Sequence, residues 1–128
     1  MRLLLAIGVT AVLLSGCRCD PEDHAHYLAG SRPVECGYAP SDADRAAVTE
    51  CLDRAIATGG RAFGGWQEDG IDSEVRQYFV VRPDRVYDLH YDGAGPLLTV
   101  SPCIGTPVPT ETGYWCEGEA LEPYTHCD

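Results

Sequence analysis

The chain contains no lysine. Its nine basic residues are all arginine, set against 20 Asp and Glu, for a formal charge of −11 over 128 residues. Phosphate backbones are bound by clustered Lys and Arg, so this balance argues against nucleic acid as a partner. It argues equally against a polybasic contact with an anionic membrane. Long hydrophobic runs are also missing. The N-terminal stretch 3–14 (LLLAIGVTAVLL) would make a helix of roughly 18 Å against about 30 Å of hydrocarbon, too short to span a bilayer. Catalytic signatures are absent as well: there is no G-x-S-x-G, H-E-x-x-H, P-loop or Gly-rich dinucleotide turn. No cofactor is expected.

What the N-terminus does hold is an address. Met1-Arg2 is a short basic start, the uncharged stretch 3–14 has signal-peptide length, and Leu14-Ser15-Gly16-Cys17 follows it. An aliphatic residue and two small ones before a cysteine resemble the lipobox of bacterial lipoprotein precursors. The resemblance covers residues 1–17 only. It implies removal of 1–16 as a signal peptide and lipidation of Cys17, whose thiolate is the nucleophile that takes a diacylglyceryl group. In that family the freed amine is often acylated too, commonly with palmitate, and several chains together anchor a protein firmly. Arg18 stands where an inner-membrane retention signal would place Asp, which implies sorting to the outer membrane, facing the periplasm or the surface.

Seven cysteines are an odd count. Assigning Cys17 to lipid leaves Cys19, Cys36, Cys51, Cys103, Cys116 and Cys127 as disulfide candidates in an oxidising compartment. The sequence leaves their pairing open. Local spacing favours Cys36–Cys51, pinning the approach loop to the first helix, and Cys103–Cys116, closing a Pro- and Thr-rich loop. Cys19–Cys127 follows by elimination. No close Cys-x₂-Cys pair suggests zinc.

Residues 17–35 are polar and broken by Pro21, Gly30 and Pro33, and they read as a tether. Residues 36–128 read as one small domain. Ser41 is placed to cap a helix in which Ala47, Val48, Cys51, Leu52, Ala55 and Ile56 form one apolar stripe, ended by Gly59-Gly60. Four strands are expected after it: a weak one at 61–67, an antiparallel hairpin of 75–82 and 85–92 turning at Pro83-Asp84, and a fourth at 97–101. Tyr87, Leu89 and Tyr91 share the strand face expected to pack on that helix. The remainder, 102–128, is expected to be mostly irregular, with a short strand near Tyr114–Cys116. The fold class is thus α+β: one helix on a mostly antiparallel four-stranded sheet, with a disulfide-stapled C-terminal segment.

Asp88, His90 and Asp92 share the opposite face of their strand and are weak metal candidates, although a solvated face is the commoner outcome of such a pattern. His24 and His26 sit in the tether, and the acidic stretch 68–74 departs from the EF-hand spacing. Trp66, Tyr114 and Trp115 are candidate contacts, or else core. These features lead to a lipid-anchored, acidic, non-catalytic domain with a binding or structural role in the cell envelope. Its expected partners are the membrane, through lipid, and an envelope protein. The alternatives are a metal- or calcium-binding envelope protein and an enzyme with an acidic/His site.

Overall fold

A computed structural model describes residues 20–68, 74–93, 97–110, 113–118 and 122–124. Cys17, Cys19, Cys127, His126, the lipobox and most of the acidic stretch (69–73) lie outside the described residues.

The first element is a helix, α1 (Pro21–Ala29), inside the segment expected to be a tether. Its start follows from local chemistry. The Asp20 carboxylate accepts from the Glu22 amide at 2.9 Å, Pro21 occupies the first turn where its missing N–H costs nothing, and Glu22 and Asp23 face the positive end of the helix dipole. Gly30, at φ 86°, ends it. The face formed by Pro21, Ala25 and Ala29 is buried.

Strand β1 (Val34–Ala39) then leads into α2 (Asp42–Thr58), which returns to β2 (Ala62–Glu68). β1 and β2 pair in parallel, so α2 is the crossover that parallel neighbours require. Ser41 sits at the start of α2 in extended conformation but makes no side-chain cap bond, and Gly59, left-handed at φ 66°, stops the helix. The anticipated stripe is largely right: Val48, Leu52 and Ala55 are buried, whereas Ala47 is exposed.

β3 (Val75–Val81) and β4 (Val86–Asp92) form the expected antiparallel hairpin. β5 (Leu97–Thr110), β6 (Gly113–Gly118) and the short β7 (Glu122–Tyr124) complete the sheet. Its order is β1-β2-β3-β4-β5-β6, with β7 pairing on β5.

The one-helix, four-stranded expectation is therefore corrected. Among the described residues there are two helices and a larger, mixed sheet. The region expected to be mostly irregular after Ser101 continues β5 and adds two strands, of which β6 contains the short strand expected near Tyr114–Cys116. Pro107 falls in a register break between Ile104 and Val108, while Pro102 and Pro109 stay in register opposite Tyr87 and Tyr114. The core is also divided in two. On one face α2 covers Trp66, Phe79, Val81, Val86 and Cys103. On the other α1 covers Phe63, Tyr78, Val80, Leu89 and Leu98. Strand alternation puts Tyr87, Leu89 and Tyr91 with the second cluster, so they pack on the α1 side and not against α2 as expected.

Among the described residues there are two disulfides. Cys36–Cys51 joins β1 to α2 (Cα–Cα 5.5 Å), and Cys103–Cys116 joins β5 to β6 (Cα–Cα 4.9 Å). Both pairs match those favoured by spacing. No helix among the described residues is long and apolar enough to cross a membrane.

Candidate functional site

β5 serves two neighbours in turn. Its first half pairs with β4 as far as Pro102, and its second half pairs with β6 from Cys103 onward. Gly105, at φ 75°, takes up the left-handed backbone between the two parts. The Cys103–Cys116 bond closes the base of the resulting hairpin.

The hairpin has an inner and an outer face. On the inner face the Tyr114 ring meets Phe79 edge-on at 5.1 Å and lies 6.4 Å from Trp66. The Tyr114 hydroxyl is shared between the Thr49 carbonyl, at 3.0 Å, and the Asp53 carboxylate, which fastens β6 to α2. Burial and the neighbouring Asp53 charge push the Tyr114 hydroxyl pKa well up, so it stays protonated and able to donate.

The outer face is apolar and open. Val108 and Trp115 are paired across the two strands, and Ile104 is paired with Glu117 two residues further on. Ile104, Val108 and Trp115 are 56%, 52% and 56% exposed, and they make up three of the five large apolar side chains left exposed among the described residues. Ile104, but neither Val108 nor Trp115, also lines a groove of about 510 Å³ between the β3–β4 turn, the end of α2 and the β5 irregularity. Val81, Val86 and Pro107 line it, together with Arg82 and Arg85. Arg82 pairs with Asp84 at 3.2 Å.

The candidate contacts therefore separate. Trp66 is fully buried and belongs to the core; its indole N–H donates to Glu68 Oε1 at 3.2 Å, and the Arg45 guanidinium lies over its ring. Tyr114 is turned inward. Trp115 alone is a surface contact.

The Asp88/His90/Asp92 face is half-buried rather than solvated. Asp88 lies across from Phe79 and Ser101, and His90 across from Gln77 and Thr99. Gln77 Nε2 donates to Asp88 Oδ1 at 2.9 Å. Burial raises the Asp88 pKa; the Gln77 hydrogen bond and nearby His90 offset part of that rise, and Glu68 adds to it. Among the described residues no three His, Cys, Asp or Glu side chains assemble as a metal-ligand group. His26 lies on α1, where it stacks on Phe63 at 5.1 Å.

Of the outer face, the sequence offers Trp115 but not Ile104 or Val108, because proline and threonine dominate 102–112. The alternation of Ile104, Thr106 and Val108 was the available signal. No protein-family model, curated protein or solved structure matches this chain.

Proposed function

We propose that this protein is a lipid-anchored envelope domain that binds another envelope protein without catalysing a reaction, and that the outer face of the β5–β6 hairpin is its contact surface. The observation that carries the reading is the alignment of Ile104, Val108 and Trp115 on one rigid face. Large apolar side chains left in water on a strand pair stapled by a disulfide and fastened from behind by Tyr114 form a preorganised apolar patch, and tryptophan is the residue most enriched at binding hot spots. The groove that Ile104 borders adds depth at one end of this face. The lipobox supports the anchor: Cys17 stands four positions before the first residue of α1, which holds the domain close to its membrane.

Two measurements test this. Intact-mass analysis of the mature protein is expected to show loss of 1–16 and acyl mass on Cys17; an unmodified thiol there removes the anchor. A photo-crosslinking residue at Val108 in cells is expected to give an adduct with another envelope protein that Trp115→Ala abolishes and that the same probe at exposed Tyr27 does not give. An identical adduct pattern at both positions, or an adduct of two copies of this chain, would overturn the partner reading.

A further inference from the structure

At the other end of the sheet order, away from the hairpin, three arginines from separate parts of the chain border one cavity, Arg32 and Arg54 exposed and Arg61 half-buried. Arg32 comes from the link between α1 and β1, Arg54 from the later turns of α2, and Arg61 from the residue before β2. All three line one cavity of about 300 Å³ against Val34, Ala55 and Thr58. We propose that this cavity is a binding site for an oxyanion of the phosphate class: free phosphate, or the phosphomonoester head of a larger molecule.

The charge distribution is the first argument. The chain has more than twice as many carboxylates as arginines, yet none of the residues lining this cavity is acidic. Arg45, Arg76 and Arg82 are ion-paired with Asp42, Glu74 and Asp84, whereas no ion pair among the described residues engages Arg32, Arg54, Arg61 or Arg85, and the first three of these share this cavity. Three like charges gathered on a strongly acidic protein repel one another, and a multiply charged anion would relieve that repulsion.

The second argument is positioning. Arg61 Nη1 donates to the Ala29 carbonyl at the end of α1, at 2.9 Å, while the Arg61 carbonyl accepts from the Val34 amide, also at 2.9 Å. Its guanidinium is therefore held in place and keeps further N–H groups for a ligand. Arg32 has φ 51° and is the only non-glycine residue with positive φ among the described residues. A conformation that L-residues avoid is maintained at one of the three cations, and such strain gathers at ligand sites. Guanidinium forks match the tetrahedral oxygens of phosphate, while a single carboxylate would need only one of them. At about 30 Å³ per water, the cavity holds roughly ten water volumes, room for a phosphoryl group with a substituent.

The competing account is that these arginines only balance the negative end of the α2 dipole. Calorimetric titration of the full-length protein in neutral detergent separates the two. Inorganic phosphate and glycerol 3-phosphate form one arm, and phosphatidic acid in mixed micelles forms the other. Saturable binding is expected in at least one arm, weakened tenfold or more by Arg54→Gln and by Arg32→Gln and unchanged by Arg76→Gln, which removes an equal charge on β3. Saturation with the soluble anions identifies a free ligand, and saturation with phosphatidic acid alone identifies a lipid head. Arg54→Lys keeps the charge but loses the fork, and is expected to bind more weakly than the parent at an unchanged melting temperature. No saturation in either arm, or equal weakening by Arg54→Gln and Arg76→Gln, would overturn the proposal, and neither result bears on the hairpin surface.

Discussion

Gly113 lies flat against the indole of Trp66, so close that a Cβ at this position would overlap the ring at Cζ2. The glycine also has φ 138°, a conformation that other residues resist. This contact lets the β5–β6 hairpin close onto the sheet. Gly113→Ala is expected to destabilise the fold by about 1–3 kcal/mol through overpacking, read as a lower urea midpoint at unchanged slope.

The two tryptophans of the chain should behave as opposites. Trp66 is wholly buried and Trp115 is more than half exposed. Replacing Trp66 with Ala is expected to cost about 3–5 kcal/mol. The same change at Trp115 should stay within about 0.5 kcal/mol, as surface changes do. Iodide quenching gives a matching readout: it should reach the emission that remains in a Trp66→Phe protein and spare that of a Trp115→Phe protein.

Asp88 links stability to pH. Burial raises its folded pKa above the ordinary carboxylate value of 3.8. Folding therefore favours the protonated acid: the contribution is fully present below the unfolded pKa and is lost as pH rises through the raised folded one. Asp88→Asn keeps an oxygen for Gln77 and removes the buried charge. It is expected to be more stable than the parent at neutral pH, with the advantage disappearing as pH falls below about 4. A gain that is constant across this range would mean that burial of the charge is not the cause.

The disulfides close loops with sequence separations of 15 and 13, a length at which each contributes about 3 kcal/mol in the chain-entropy view. Cys103→Ala with Cys116→Ala should expose the hairpin to proteolysis between the two positions while the rest of the sheet survives. Cys36→Ala with Cys51→Ala should instead lower the global unfolding midpoint, since it frees the crossover helix from its parallel strand. Limited proteolysis followed by mass spectrometry distinguishes the two.

Strong patterns carried α2 and the β3–β4 hairpin into view: Val48, Leu52 and Ala55 repeat at helical spacing, and β-branched and aromatic residues crowd both strands. Helix α1 was hidden by weakness of amplitude, since its buried face is Pro21, Ala25 and Ala29 and little apolar area distinguishes it from a solvated linker. Its punctuation was nonetheless legible, with Asp20-Pro21-Glu22 at one end and Gly30 at the other. β5 was cut short because Pro102, Pro107 and Pro109 argue against a continuing strand; Pro102 sits opposite Tyr87 of β4, Pro107 in the register break against β6 and Pro109 opposite Tyr114, all tertiary facts. The same limit applies to the site. Spacing placed Cys103 with Cys116, but that Trp115 would face water while Tyr114 turned inward follows from a register fixed only once β6 lies on Trp66.

The strand order has a mechanical consequence. A lipid at Cys17 would apply its pull through α1, whereas a partner on Trp115 would apply its pull at β6, the far edge of the ladder. Anchor and cargo would then load the molecule in series. The link nearest the anchor is α1, held to the sheet by Ala25, Leu28 and Ala29, by the His26–Phe63 stack and by the Arg61 bond to its last carbonyl. Under tension α1 would come away first, lengthening the tether while the disulfide-stapled hairpin kept its grip.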